Sequence, residues 1–212
     1  NSMLFYNAYA SSSVCSPTRA AIMTGKHPAR VNITDWIPGL EEQPHYNNKN
    51  KPLIGPQDLN ELPLSEITIA EVLKKNGYKT FYSGKWHLGS EGHYPEDQGF
   101  DINVGGFEKG SPMGGYYTPY KNPKLEDGPE GEYLTDRLTQ ETIDFIDSRD
   151  ESKPFAAFLA FYNVHTPIQE NKEFYDYYKE KLKDYDDIEP VTKKEGDAIT
   201  LLNQRNAKYA SM

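Results

Sequence analysis

Five side chains in this sequence have the chemistry to bind an anionic ester and to move protons on and off it. They are Cys15, Arg19, Lys85, His87 and His165. The arginine and the lysine supply positive charge for an oxyanion, and two histidines can act as general base and general acid near neutral pH. Each also has a structural explanation, as a small buried thiol, a solvated charge or a hydrogen-bonded core histidine. Brought together, the five would form the site of an anion-ester hydrolase.

The residues around Cys15 predict a strand, a loop and a short helix. Residues 3–10 are rich in aromatic side chains that alternate loosely, which is typical of a strand. Ser16 followed by Pro17 predicts an N-cap and a first helical position, and Gly25 predicts the end of the helix. Cys15 would then lie at a helix N-terminus, where unpaired N–H groups and the helix dipole attract phosphate or sulfate.

Two further patterns run from helix to strand. Thr68 and Glu71 predict a capping box, and Gly77 predicts the end of that helix before the strand-like "YKTFYS". The predicted apolar face of this helix consists of Ile69, Val72 and Leu73. A second helix over about 134–149 leads into the apolar run 154–162, which predicts a strand buried on both faces of a parallel sheet.

Alternating helices and strands predict an α/β domain whose ligands bind at the carboxyl ends of the strands. "GKWH" and "NVHTP" each follow a predicted strand, so Lys85, His87 and His165 are expected at that edge. The other predictions are long loops over 38–63 and 89–132, a solvated segment over 174–195, and helix from about residue 197.

Composition limits the class of protein. A chain of 212 residues with 36% hydrophobic and 26% charged residues is long enough for one sizeable folded domain. The net charge of −9 argues against a general nucleic-acid or anionic-membrane binder. No run approaches the roughly 20 apolar residues of a membrane span. A single cysteine cannot form an internal disulfide, and the sequence has no Cys/His cluster with zinc spacing.

Three motifs resemble those of the type I sulfatases, which have the alkaline-phosphatase-like fold. "CSPTRAAIMTGKHP" is similar to the family signature C-x-P-x-R followed by a short helix and T-G. "GYKTFYSGKWHLG" resembles the second family motif, and "FYNVHTP" resembles the segment that carries a later histidine. The three occur in the family's order and cover most of the chain.

The resemblance implies that Cys15 is converted to Cα-formylglycine by a separate maturation enzyme and acts as an aldehyde hydrate. Arg19 would steady this group, and Lys85 would bind a sulfate oxygen. His87 would take a proton from the second hydroxyl of the hydrate, and His165 would protonate or hold the leaving oxygen. The resemblance also implies Ca²⁺, bound by oxygen ligands that include the formylglycine at position 15.

The family takes its other calcium ligands from an early Asp-Asp pair and a late Asp-Asn pair, neither of which is matched here. The "DD" at 186 and 187 is assigned to solvent. We therefore expect residues 1–212 to be a single incomplete sulfatase catalytic domain that lacks the N-terminal strand with Asp-Asp and the C-terminal part. Alone, this chain is expected to bind Ca²⁺ weakly, turn over sulfate esters poorly and have marginal stability.

The expected function is hydrolysis of a sulfate ester, on a sulfated carbohydrate or an aryl sulfate, by a periplasmic or secreted enzyme. Five loop tyrosines are candidates for stacking on sugar rings: Tyr46, Tyr94, Tyr116, Tyr117 and Tyr120. One alternative is a phosphoester or phosphonate hydrolase of the same superfamily. The other is a non-catalytic, sulfatase-like module that binds anions.

Overall fold

A parallel three-stranded sheet forms the frame of the computed structural model, which describes residues 2–38, 58–185, 191–196 and 198–212. The central strand is β1 (Lys79–Gly84). It pairs on one side with β2 (Ile102–Val104) and on the other with β3 (Phe155–Ala160). Because all three strands run in the same direction, the loops that follow β1 and β3 leave from the same edge of the sheet. The predicted α/β class with a parallel sheet is confirmed.

The remaining elements lie around this sheet and after it. The helices are α1 (Cys15–Thr24), α2 (Pro28–Val31), α3 (Ile69–Lys75), α4 (Leu134–Ser148), α5 (Lys172–Leu182) and α6 (Ala207–Ser211). Short 3₁₀ helices span Pro95–Gln98 and Lys183–Tyr185, and an antiparallel hairpin pairs β4 (Thr192–Glu195) with β5 (Ala198–Leu201). Within the described ranges, no helix combines the length and the apolar character needed to cross a bilayer.

Local signals set the ends of several helices as predicted. Thr68 accepts a hydrogen bond from the Glu71 N–H at 3.2 Å, and the Glu71 carboxylate accepts one from the Thr68 N–H at 2.7 Å. This is the predicted capping box. Helix α1 ends at Gly25, whose φ of 67° is a left-handed conformation that glycine adopts without strain.

Two apolar clusters stabilise the sheet and the helices around it. The first lies between α1, α2, α3 and the end of β1, and includes Ala20, Ile33, Leu62, Tyr82, Trp86, Leu88 and Phe100. The second packs α4 against the loops that follow the strands, and includes Phe107, Tyr116, Tyr120, Tyr133, Leu138 and Tyr162. Side chains that project from β1 and its following loop therefore lie in a rigid, close-packed setting.

Several sequence-based predictions of secondary structure are wrong. Residues 3–10 form no strand, and Met3 and Tyr6 are largely exposed, because aromatic content does not by itself supply a partner strand. β3 is half-buried along its length and lies at the edge of the described sheet, whereas β1 is the buried strand. The predicted apolar face of α3 is also wrong, since Ile69 and Val72 are exposed and Ala70 is buried.

The other regions differ from prediction in detail. The predicted loop over 89–132 contains β2 and the 3₁₀ helix, which are too short to give a clear periodic signal. The predicted solvated segment over 174–195 begins in helix α5, which has no buried residue, and its described remainder contains the 3₁₀ helix Lys183–Tyr185 and β4. The predicted helix from residue 197 is instead β5 followed by the short α6. Much of the 38–63 stretch, and the pair at 186 and 187, lie outside the described residues.

Candidate active site

Cys15 is the first residue of α1 and is partly exposed. The N-cap is Val14, which makes no side-chain cap, so the prediction of Ser16 as N-cap is wrong. Ser16 is instead fully buried inside the first turn. Its hydroxyl accepts a hydrogen bond from the Ile37 N–H at 3.0 Å and lies 3.4 Å from Nδ1 of His87. The serine beside the cysteine thus joins the helix to a neighbouring loop and to a candidate base.

Arg19 lies one helical turn after Cys15 and points toward the end of β1. Its guanidinium donates to the backbone carbonyl of Lys85 and, at 3.3 Å, to the hydroxyl of Tyr82. The Tyr82 hydroxyl in turn donates to the same carbonyl. Burial raises the pKa of Tyr82 to about 12, so the phenol stays protonated and can donate near neutral pH. Arg19 is therefore held in one position by two groups, the hydroxyl of Tyr82 in β1 and the carbonyl of Lys85 just after it.

Lys85 follows β1 directly, and its side chain is buried beside Cys15. The Lys85 N–H donates to the Ala160 carbonyl at 2.8 Å, which continues the pairing of β1 with β3 by one residue. Burial lowers the pKa of Lys85 to about 8, the Cys15 thiol opposes this shift, and the charge of Arg19 adds to it. At pH 7 the ammonium is still largely protonated, and a buried cation of this kind gains from an anionic ligand.

Gly84 allows the close approach that precedes Lys85. Its φ of 103° lies in the left-handed region, and a Cβ at this position would lie 2.1 Å from the carbonyl oxygen of Ala160. A residue with a side chain would therefore push β1 away from β3 at the point where Lys85 leaves the sheet. The glycine of "GKWH" thus has a defined geometric role.

His87 is buried and held by hydrogen bonds on both ring nitrogens. Nε2 faces the Ile37 carbonyl, which can only accept, so Nε2 carries the hydrogen and Nδ1 the lone pair. Desolvation lowers the pKa of His87 to about 4. The Ile37 carbonyl opposes this shift, and the charges of Lys85, Arg19 and His165 add to it. The ring is therefore neutral at pH 7, which a general base requires. His87 also has φ of 59°, a rare conformation for a non-glycine residue.

His165 lies in the turn after β3 and is less buried than His87. Its backbone N–H donates to the Tyr162 carbonyl at 2.8 Å. Nδ1 lies 2.9 Å from the Thr166 carbonyl, so Nδ1 carries a hydrogen and Nε2 remains for exchange of a proton with a ligand.

Two cavities meet at Cys15. One of about 920 Å³ is lined by Cys15, His87 and His165 together with Trp36, Glu108 and Lys109. The other, of about 620 Å³, is lined by Cys15 and Arg19 and by apolar residues of β1 and β3. Both volumes are typical of small-molecule sites. The structure thus brings all five predicted residues into one region, with Lys85 buried behind the cysteine.

Sequence reasoning missed three contributors to this region. Ser16, Tyr82 and the backbone of Ile37 hold the charged and titratable groups in place. Ser16 carries a weak signal, since a polar residue inside a short apolar helix needs a partner. Nothing in the sequence singles out Tyr82 among 16 tyrosines.

The stacking prediction fails for two of the tyrosines. Tyr116 and Tyr120 are almost completely buried, and their rings cannot reach a ligand. Tyr94 and Tyr117 are half-buried and use their hydroxyls within the protein, and Tyr46 lies outside the described residues.

The resemblance implies two groups at this site, a formylglycine and a calcium ion, and the residues around Cys15 fit them to different degrees. A formylglycine at this position fits, because the side chain borders open cavity space and a buried ammonium. Calcium prefers six to eight oxygen ligands. Among residues 2–38, 58–185, 191–196 and 198–212, no group of three His, Cys, Asp or Glu side chains is placed to hold a metal. Within these ranges, carboxylate, imidazole and thiol side chains therefore offer no cluster of three ligands for calcium.

Comparison with known proteins gives one consistent family. A family model described as Sulfatase matches residues 1–212. An arylsulfatase of Hemicentrotus pulcherrimus is 31% identical over 192 residues, which is 80% of this chain and 32% of that protein. Human N-acetylgalactosamine-6-sulfatase is 29% identical over 191 residues, covering 81% of this chain and 34% of the relative. The chain spans about a third of the length of these curated relatives.

Solved structures also superpose on this chain. A Bacteroides fragilis protein, yidJ, described as a sulfatase, superposes with a TM-score of 0.66 over 98% of this chain and 46% of its own length, at 20% identity. A protein solved with its substrate D-glucosamine-2-N,6-O-disulfate has a TM-score of 0.60 over 84% of this chain and 30% of its own, at 25% identity. The fold is that of the alkaline-phosphatase-like superfamily.

Proposed function

The chain belongs to the sulfatase family, and from that premise we propose that the protein containing it hydrolyses sulfate esters. The observation that carries the proposal is the meeting of Cys15, His87 and His165 along one cavity, with the Lys85 ammonium buried beside the cysteine. Such a site combines an anion-binding charge, two groups able to move protons and a candidate nucleophile.

Conversion of Cys15 to formylglycine would supply a hydrated aldehyde as the nucleophile, so that the reaction is split into two easier steps. In the structure described here the thiol stands in the place of those hydroxyls. Arg19, held on the Lys85 carbonyl, would keep the modified side chain and the first turn of α1 in position. Lys85 would bind a sulfate oxygen through its ammonium. Because the ammonium is buried away from water, the attraction between the two charges would be stronger than at the surface.

The two histidines would have different tasks because their environments differ. His87 is neutral at pH 7, and its Nδ1 lone pair faces the hydroxyl of Ser16, the residue next to position 15, so it would accept a proton on that side. His165 is less buried and keeps Nε2 for the leaving oxygen, to which it would donate when both ring nitrogens carry a proton. Two titratable groups with contrasting surroundings are a common arrangement for a base and an acid.

We extend the proposal to the substrate and to calcium on the strength of the family. A sulfated carbohydrate is the expected natural substrate, with aryl sulfates as surrogates, since one structural neighbour was solved with a disulfated glucosamine as its substrate. The cavity of about 920 Å³ has room for a sugar. Formylglycine at position 15 would be one calcium ligand. The maturation enzyme would be a necessary partner, and export to the periplasm or medium is expected.

The test is production of the complete protein together with a formylglycine-generating enzyme. Mass spectrometry of the peptide that contains Cys15 should show the –CH2–SH group converted to –CHO, which is a loss of one sulfur and two hydrogens and a gain of one oxygen. The protein should also release sulfate from 4-nitrophenyl sulfate. The matched variant Cys15→Ala should have no turnover. An unmodified thiol in an inactive protein would favour the non-catalytic alternative. A preference for phosphate esters would favour the phosphoesterase alternative.

A further inference from the structure

We propose that Tyr116 is a positioning residue for His165, acting through its hydroxyl on the turn that carries the histidine. The inference rests on the proposed function of His165 at the leaving oxygen. Neither Tyr116 nor the segment around it belongs to the motifs that identify the family. The sequence suggested a sugar-stacking role for this tyrosine, and complete burial of the ring excludes that role.

The Tyr116 hydroxyl contacts both ends of the His165 turn. It lies 2.9 Å from the Tyr162 carbonyl and 2.8 Å from the His165 carbonyl. The Tyr162 carbonyl also accepts the His165 N–H at 2.8 Å, and the single hydroxyl hydrogen of Tyr116 can be donated to either of the two carbonyls. Burial raises the pKa of Tyr116, which keeps the phenol protonated and able to donate. The hydroxyl therefore fixes the backbone from which the imidazole projects.

Tyr116 is itself firmly held. Its ring stacks on Tyr133 with centroids 5.8 Å apart. Its carbonyl accepts from the Leu134 N–H, the first residue of α4, at 2.8 Å, and its N–H donates to Gln169 Oε1 at 2.8 Å. The tyrosine thus joins α4, a long element, to a turn that Asn163 anchors at a second point, through its side-chain bonds to Thr135 and to the Met212 carbonyl. A catalytic group must be held within fractions of an ångström to be effective, and side chains on loops need such support.

The imidazole depends on this backbone for its tautomer as well as its position. Nδ1 donates to the Thr166 carbonyl, one residue after the carbonyl that Tyr116 holds. If the turn relaxed, this bond would lengthen, and Nε2 would no longer be presented in one direction. Loss of the hydroxyl should therefore weaken proton donation to the leaving oxygen more than it weakens sulfate binding.

The test compares Tyr116→Phe with Tyr120→Phe in the complete, formylglycine-containing protein. Tyr120 is an equally buried tyrosine whose hydroxyl bonds to the Glu132 side chain at 2.8 Å, away from the His165 turn. The substrates are 4-nitrophenyl sulfate and phenyl sulfate. The first has a weakly basic leaving group that needs little protonation, and the second a strongly basic one.

Tyr116→Phe should lower kcat for phenyl sulfate about tenfold more than kcat for 4-nitrophenyl sulfate, with KM little changed, because general acid catalysis is worth about 10²–10⁴-fold in rate. Tyr120→Phe should either lower kcat for both substrates by the same factor or leave kcat unchanged for both. In a His165→Gln background, Tyr116→Phe should add no further leaving-group dependence. If Tyr116 had only a structural role, Tyr116→Phe would lower kcat equally for both substrates. It would do so in the His165→Gln background as well.

The outcomes separate this inference from the proposed function. An inactive wild-type protein with Cys15 fully converted contradicts the proposed function. An active wild type whose leaving-group dependence responds to His165→Gln, but not to Tyr116→Phe, overturns the inference alone. If Tyr116→Phe does not fold, Gln169→Ala removes the acceptor of the Tyr116 N–H and should show the same selective effect at smaller size. An equal loss on both substrates in that variant also overturns the inference.

Discussion

Arg19 donates a hydrogen bond to the backbone carbonyl of Lys85, 66 residues further along the chain. This bond joins the helix that carries the candidate nucleophile to the end of the strand that carries the anion-binding lysine. The side chain of one site residue therefore fixes the backbone of another. A cation that was needed only for its charge would not require this geometry.

Arg19→Lys should lower the free energy of unfolding by about 1–3 kcal/mol, because a single ammonium cannot reproduce the contacts of the planar guanidinium with both the carbonyl and Tyr82. Urea denaturation measures the change. The control is Arg30→Lys on the exposed surface of α2, which should leave the midpoint within error of the wild type. Equal midpoints for all three proteins would contradict the structural role of Arg19.

Gly110→Ala should disturb His87 directly. A Cβ at position 110 would lie 2.4 Å from Cε1 of the imidazole, so the ring would have to shift. A misplacement of about 1 Å can cost on the order of 10²-fold in rate, so kcat for an aryl sulfate should fall by at least about tenfold. Gly128→Ala is the control, since its Cβ would also meet a fixed group, the Glu132 carboxylate bonded to Tyr120 and Arg137, but one that does not contact His87. Retained turnover in Gly110→Ala would mean that the position of His87 is not critical.

Because His87 is buried, the free energy of unfolding should fall as the solution is made acidic. The pKa of His87 is about 4 in the folded protein and about 6.5 when unfolded, so the unfolded state takes up the proton first as pH falls. The folded protein should lose about 3 kcal/mol from this group between pH 6.5 and pH 4. In His87→Gln that part of the loss should be absent. Urea denaturation at pH 7, 5.5 and 4.5 measures it, and parallel pH dependences for the two proteins would contradict the prediction.

Thr68→Ala should destabilise the fold by about 1–2 kcal/mol, because it removes an N-cap and the buried bond from Thr68 to the Gln98 carbonyl at 2.7 Å. Thr68→Ser keeps both hydrogen bonds and should recover most of the loss. Thermal or urea denaturation of the two variants gives the comparison. If alanine and serine behaved alike, the capping box would contribute little to α3.

Features that rest on neighbouring residues were predictable from the sequence. The capping box at Thr68 and the left-handed end of α1 at Gly25 depend on interactions within a few residues. The motifs were also sufficient to predict which side chains meet, because parallel strands bring the residues after them to one edge.

Features that rest on distant partners were not predictable. Ser16 has the local pattern of an N-cap, yet its hydroxyl bonds to residues 21 and 71 positions away. β3 is as apolar as a strand buried on both faces, but it lies at the edge of the described sheet. Tyr116 and Tyr120 lie in a Gly- and Pro-rich stretch that is typical of exposed loops, and an aromatic cluster buries them.

The bonds around Ile37 have a consequence for comparing relatives. Its N–H donates to the Ser16 hydroxyl, its carbonyl accepts from Nε2 of His87, and its side chain packs in the core. The candidate base is therefore oriented by a main-chain unit that every amino acid except proline possesses. Alignments of residue identities would record position 37 as an interchangeable apolar site. The constraint on it is one of backbone path, which is visible only when structures are superposed.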